Sequence, residues 1–136
     1  MFDLDEGGLY STNLFSEHAV QVIKQFSTDH GSDGKQLFLY LPFEAVHGAA
    51  SCDPDCDKPY GDLLQAPQWY IDQQKQINNT DRRTYAGMLG ALDDGIKNIT
   101  ETLKEVGLWN DTLLIFSTDN GAPASHFNSQ AMSSYP

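Results

Sequence analysis

The chain has 136 residues, 40% of them hydrophobic and 20% charged. That is enough apolar material for one modest domain with a core, and too much for a disordered chain. A net charge of −11 argues against nucleic acid and against docking on anionic lipid, because both need a basic footprint. It leaves an anionic substrate open, since a bound cation inverts the local field of a site.

Met1 to Tyr10 is acidic and contains glycine, and reads as a loop or a severed end. Ser11 or Thr12 can cap a helix. Phe15, Ala19, Val22, Ile23 and Phe26 then recur at helical spacing, which predicts a helix over 13–27. Gly31 and Gly34, among polar residues, mark a turn. Leu37-Phe38-Leu39-Tyr40-Leu41 is a continuous apolar run ended by Pro42. Such a run suits a central strand buried on both faces.

Phe43 to Asn79 is long and irregular, with Pro54, Pro59, Pro67 and both cysteines. A loop of that length in a compact domain is functional or an insertion. A short helix is predicted around Trp69 to Gln74. Thr80 or Asp81 caps the next helix. Along it Tyr85, Met88, Leu89, Leu92, Ile96, Ile99, Leu103 and Val106 keep one face for about seven turns. Gly107 stands where a helix stop belongs. Asn110-Asp111 makes a turn, and Thr112-Leu113-Leu114-Ile115-Phe116-Ser117 reads as a second buried strand. The order of helices and strands predicts an α/β fold, a parallel sheet covered by helices, in a single domain.

No run is long enough to span a membrane, so membrane insertion is not expected. Met1 to Glu6 lacks the basic start and apolar stretch of a signal peptide, so the protein is cytosolic or its true N-terminus lies upstream. Three N-x-S/T acceptors favour the latter: Asn78-Asn79-Thr80, Asn98-Ile99-Thr100 and Asn110-Asp111-Thr112. They point to the secretory pathway. Cys52 and Cys56, in Cys-Asp-Pro-Asp-Cys, can close a local disulfide, pair elsewhere or stay free. Their spacing is too long for a zinc Cys-x-x-Cys, and no second ligand pair follows.

In an open parallel sheet, ligands collect at the carboxyl ends of strands. One predicted strand end leads to Val46-His47-Gly48, the other to Thr118-Asp119-Asn120-Gly121. His47, Asp119 and Asn120 are therefore expected on one rim. Asp119 and Asn120 offer the oxygens that hard cations take, though a turn explains Asp-Asn-Gly equally. As a histidine, His47 suits a general acid or an anion contact.

These stretches form an ordered series. Tyr10-Ser11-Thr12-Asn13-Leu14-Phe15 is followed by Leu37-Phe38-Leu39-Tyr40-Leu41 with Val46-His47, then by Tyr85-Ala86-Gly87-Met88. Gly107-Leu108-Trp109-Asn110-Asp111-Thr112 and Phe116-Ser117-Thr118-Asp119-Asn120-Gly121 complete it. In this series the chain resembles the sulfatases, in particular the arylsulfatase B-like, N-acetylgalactosamine-4-sulfatase group. The resemblance covers about residues 10–121, and 122–136 diverge. It implies an internal fragment of an N-terminal catalytic domain with a partial alkaline-phosphatase-like α/β fold. It also implies calcium-dependent hydrolysis of sulfate esters, on a sulfated small molecule or glycan, in a lysosomal or extracellular protein. Asp119 and Asn120 resemble the later pair of calcium ligands, and His47 the histidine that contacts sulfate.

The departures bear on activity. The family's nucleophile is a formylglycine made from cysteine in Cys-x-Pro-Ser-Arg, and that motif is absent from these 136 residues. The earlier aspartate pair is also absent, as are the upstream lysine and histidine and the downstream lysine that hold sulfate in the family. Ala49 stands where the family often carries proline, and Ala122-Pro123-Ala124-Ser125-His126 replaces a Gly- and Trp-containing stretch. The isolated chain is therefore expected to be inactive. Two other readings compete: a catalytically dead, secreted sulfatase-like binding domain, and a related phosphodiesterase of the same superfamily.

Overall fold

A computed structural model describes residues 10–31, 33–48 and 64–121. Three α-helices follow in order: α1 (Ser11–His30), α2 (Gln68–Asp72) and α3 (Thr80–Glu105). A 3-10 turn covers Trp109–Asp111. The chain divides into two compact units, Met1–Glu44 with Leu92–Ile115, and Ala45–Ala91 with Phe116–Pro136.

In the first unit, α1 packs against the C-terminal half of α3. The predicted apolar positions of α1 do this partly: Ala19 and Ile23 are buried, whereas Val22 is 43% exposed. From α3 come Ile99 and Leu103, and Leu37, Leu41, Phe43, Val106 and Leu108 close around this cluster. Ser11 and Thr12 do not cap α1, because they lie inside it. Tyr10 precedes it with no side-chain cap, and the Leu14 N–H donates to the Tyr10 carbonyl at 3.0 Å.

The end of α3 shows why glycine is needed at 107. Gly107 takes φ 77°, the left-handed region that a Cβ disfavours. From there its N–H donates to Lys104 O at 3.1 Å, and the Leu108 N–H to Leu103 O at 2.9 Å. This pair of bonds is a Schellman motif. It turns Leu108 back onto the cluster that holds Leu103, so the helix stop also adds to the core.

In the second unit, Leu64, Met88 and Ala91 are buried. The predicted short helix appears as α2, over Gln68–Asp72, after Pro67. A Cβ on Gly87 would lie 3.1 Å from Ile71 N and 3.3 Å from Ala66 Cβ, so the glycine lets this backbone come close. The first turn of α3 is capped by Asn79 rather than Thr80 or Asp81. Asn79 Oδ1 accepts the Arg82 N–H at 2.9 Å, and its carbonyl accepts the Arg83 N–H. An amide oxygen one residue further out reaches the third helical N–H. Leu89, assigned to the buried stripe, is 45% exposed.

The expected parallel sheet is not formed among the described residues. Leu37–Leu41 and Thr112–Ser117 are neither helix nor strand. Leu37 and Leu41 face the helical core, but Phe38 is 90% and Tyr40 78% exposed. Leu113, Ile115 and Phe116 are 84%, 77% and 69% exposed. Burial on both faces, as predicted, is thus absent. The physical reason is that a helix satisfies its own backbone, whereas a strand needs a neighbouring strand for every ladder bond. Cys52, Cys56 and residues 122–136 lie outside the described residues.

Candidate active site

His47, Asp119 and Asn120 all belong to the second unit, and all three are exposed. His47 follows the loop that leaves Leu41. Its Nδ1 lies 2.7 Å from the Gly48 carbonyl oxygen. A carbonyl only accepts, so Nδ1 carries the proton and donates. In the neutral ring that leaves Nε2 as the acceptor nitrogen, the one able to meet an external proton or anion-bound donor.

Asp119 and Asn120 sit in a locally bonded turn. Asp119 Oδ1 accepts the Asn120 N–H at 2.9 Å. Thr118 Oγ1 donates to Asn120 O at 2.6 Å, and Ser117 Oγ to Thr118 O at 3.2 Å. Asn120 Nδ2 donates to Gly121 O at 3.0 Å. These bonds commit the donors of the turn to its own backbone. The Asp119 carboxylate and the Asn120 Oδ1 remain as oxygen donors, which is the ligand chemistry calcium takes. Two such residues supply only part of a shell of about six to eight oxygens.

Among the described residues no three His, Cys, Asp or Glu side chains gather into a metal-binding group. No hydrogen bond among them joins His47 to Asp119 or Asn120. The structure places these residues in one unit, therefore, without assembling them into a closed centre. Neither Cys52 nor Cys56 stands in a formylglycine motif, so this chain offers no residue for that group.

Two other polar clusters form away from this region. At the end of α1, His30 Nδ1 meets Asp33 Oδ2 at 2.8 Å, and Lys35 Nζ meets the same oxygen at 3.2 Å. The hydrogen bond from His30 holds the Asp33 carboxyl below its ordinary range, helped by the Lys35 backbone N–H. At the start of α1, burial pushes the Tyr10 phenol up. The Thr12 hydroxyl beside it pulls downward, and Glu44 adds to the rise. Thr12 Oγ1 is buried and makes no hydrogen bond of standard geometry among the described residues, and burial is the stronger influence on Tyr10. Sequence reasoning missed this cluster. Thr12 carried the signal of a cap, and nothing local distinguishes a capping threonine from a buried one.

The family model for sulfatases matches residues 3–134. The chain belongs to the sulfatase family. Its likeness to individual sulfatases is consistent with that membership. It is 34% identical to arylsulfatase J of Mus musculus over 116 residues, 85% of this chain and 16% of that protein. It is 26% identical to N-sulphoglucosamine sulphohydrolase of Homo sapiens over 112 residues, 67% of this chain and 22% of that protein. It is 38% identical to the arylsulfatase of Klebsiella aerogenes over 74 residues, 54% of this chain and 14% of that protein. The chain thus spans between about one seventh and just over one fifth of the length of these sulfatases. His47, Asp119 and Asn120 all fall inside the stretch that the family model matches. No helix among the described residues is long and apolar enough to cross a membrane.

Proposed function

We propose that this chain is part of a sulfuric ester hydrolase of the arylsulfatase type. The observation that carries the reading is the sulfatase match across residues 3–134, a range that encloses His47, Asp119 and Asn120. Within the longer polypeptide, Leu37–Leu41 and Thr112–Ser117 would be strands of an alkaline-phosphatase-like parallel sheet. Their exposed apolar side chains fit that role, since such residues need sheet neighbours to bury them.

In this reading Asp119 and Asn120 would supply part of the oxygen shell of a calcium ion. Bound calcium would supply positive charge against the sulfate oxygens. Asp119 contributes the charged oxygen and Asn120 the neutral one, and the surrounding turn bonds keep both side chains oriented. His47 holds its proton at Nδ1 against Gly48 O, and presents Nε2 to the sulfate ester or its leaving oxygen. The nucleophile comes from outside these 136 residues, so the chain alone is inactive. A sulfated small molecule or sulfated glycan is the substrate class. A lysosomal or extracellular location agrees with the three acceptor sequons.

The test is hydrolysis of an aryl sulfate by the full-length protein and by this chain alone. Turnover by the full-length protein, lost in Asp119→Ala and in His47→Ala, supports the reading. Turnover by the isolated chain above a His47→Ala control sinks it. So does a full-length protein that is fully folded, calcium-loaded and inert on sulfate esters.

A further inference from the structure

We propose that Asn120-Gly121 is a deamidation site, at which the Gly121 nitrogen closes on the Asn120 side chain and turns it into an aspartyl or isoaspartyl residue. The modification itself rests on the turn alone. Its suppression by calcium rests on the reading of Asn120 as a ligand.

Asn120 is the asparagine of this chain that is followed by glycine; every other one is followed by a residue with a side chain. A side chain on the next residue shields its backbone nitrogen, and glycine has none. A Cβ on Gly121 would meet nothing within 4 Å, so the space around this peptide is open. Asn120 and Gly121 are both exposed, which admits the water that the reaction consumes.

Two hydrogen bonds prepare the step. Asn120 Nδ2 donates to Gly121 O at 3.0 Å, which turns the side-chain amide forward over the peptide that attacks it. Thr118 Oγ1 donates to Asn120 O at 2.6 Å. That oxygen shares its peptide with Gly121 N, so the bond draws electron density off the nitrogen and eases loss of its proton. The Gly121 N–H donates no hydrogen bond among the described residues, so none has to break first. At Asn13 the arrangement is the opposite. The next nitrogen, of Leu14, is held in α1 by donating to Tyr10 O at 3.0 Å.

The reaction balances without redox change. Gly121 N bonds to Asn120 Cγ and gives up its proton. The Cγ–Nδ2 bond breaks, and Nδ2 leaves with the electron pair and a proton as ammonia. Water then opens the five-membered imide at one of its two carbonyls. One opening gives aspartate at 120. The other gives isoaspartate, with an extra methylene in the main chain. Either product sets a second carboxylate beside Asp119, and the isoaspartate also displaces the turn.

Calcium opposes the closure. The amide must swing until Cγ meets the nitrogen, which draws Oδ1 off a bound cation. The cation also polarises that carbonyl and so activates Cγ. Fixing Oδ1 within a shell of about six to eight oxygens is the stronger effect, because losing a ligand costs the ion one of its contacts. Deamidation is thus a loss process of the calcium-free protein.

The experiment follows the peptide around Asn120 by mass spectrometry in the full-length protein, incubated at neutral pH in calcium or in chelator, with enzymatic methylation to label isoaspartate. In chelator, Asn120 is expected to convert severalfold faster than Asn13. Calcium should slow Asn120 severalfold and leave Asn13 unchanged. Thr118→Val should slow the folded protein in chelator but match wild type in urea, where the Thr118 bond is gone from both. An unconverted Asn120 in chelator overturns the proposal and leaves the sulfatase reading, which aryl sulfate turnover decides, standing. Equal rates in calcium and chelator overturn the suppression, and with it Asn120 as a ligand. Equal rates for folded wild type and Thr118→Val overturn the part given to the Thr118 bond.

Discussion

The Ser16 hydroxyl donates to the Gly95 carbonyl across the interface of α1 and α3, at 3.2 Å and in a buried setting. The two residues are 79 positions apart in the chain. The bond adds a second acceptor role to a carbonyl already inside the helical ladder of α3. Removing it therefore leaves no orphaned backbone group. Ser16→Ala is expected to cost about 0.5–1.5 kcal/mol of unfolding free energy, the usual worth of one such bond. Ile23→Ala, two turns along the same helical face, is expected to cost about 2–5 kcal/mol, because Ile23 is 1% exposed and the site would be left as a cavity. Urea unfolding of both variants checks the order, and an equal loss in the two would contradict this account of the interface.

Gly107 supports a second prediction. Its φ of 77° places any Cβ against the carbonyl that follows it. Gly107→Ala is expected to destabilise the first unit by about 1–2 kcal/mol per left-handed residue. Amides near Leu108 should exchange faster, since the Schellman bonds loosen together. Unchanged exchange there, with unchanged stability, would show that the motif does not anchor the helix end.

Tyr10 gives a pH dependence with a defined sign. Its phenol is raised above the ordinary value of 10.0, chiefly by burial. The folded state therefore holds the proton more tightly than the unfolded state. The resulting stability is fully present below the unfolded value near 10 and is lost as pH rises through the folded value. Wild type should lose stability between neutral pH and pH 11 more steeply than Tyr10→Phe. Parallel curves for the two proteins would show that Tyr10 does not titrate differently on folding.

Asp33 gives the opposite sign. His30 and the Lys35 backbone hold its carboxyl below 3.8. Its favourable state persists above the unfolded carboxylate range and disappears as pH falls through the lower folded value. An NMR titration of the Asp33 carboxyl should give a midpoint below the ordinary aspartate value. In His30→Ala the midpoint should move up, and a fixed midpoint would refute the assignment of its cause.

For the proposed chemistry, His47→Ala in the full-length protein is expected to lower kcat by about 10²–10⁴-fold, the range for a positioned acid–base group. Asp119→Ala should instead weaken calcium binding, seen by titration calorimetry, and restore part of the activity at high calcium. Calcium binding to the isolated chain should be weak, because two ligands cannot complete a shell. A micromolar isotherm from the isolated chain, lost in Asp119→Ala, would contradict the incomplete site.

Much of the helical structure was legible in the residues alone. The stripe from Met88 to Leu103 and the stop at Gly107 follow from periodicity and from backbone freedom, which are local properties. The short helix expected around Trp69 to Gln74 likewise forms, as α2 over Gln68–Asp72. The motif series from Tyr10 to Gly121 was enough to suggest the sulfatase family, because motif order is carried entirely by sequence. The caps were less legible, and for a reason of geometry: Asn79 rather than Thr80 reaches the third amide, and Thr12 is buried rather than capping.

The strands mark where local reasoning stops. Leu37–Leu41 and Thr112–Ser117 have the composition of buried strands, yet Phe38 and Ile115 stand largely in solvent. Hydrophobicity states that a segment gains by burial but cannot provide the neighbour that buries it. The candidate site shows the same division. Sequence alone determined the residue types, His47 and the Asp119–Asn120 pair, and therefore the chemistry they can perform. Only the tertiary structure decided that His47 turns Nδ1 toward Gly48 O, that the Asp-Asn turn bonds to itself, and that Asn98 is exposed while Ile99 faces the core. Those outcomes depend on which groups meet in space, and in the case of Ser16 and Gly95 that meeting joins residues 79 positions apart.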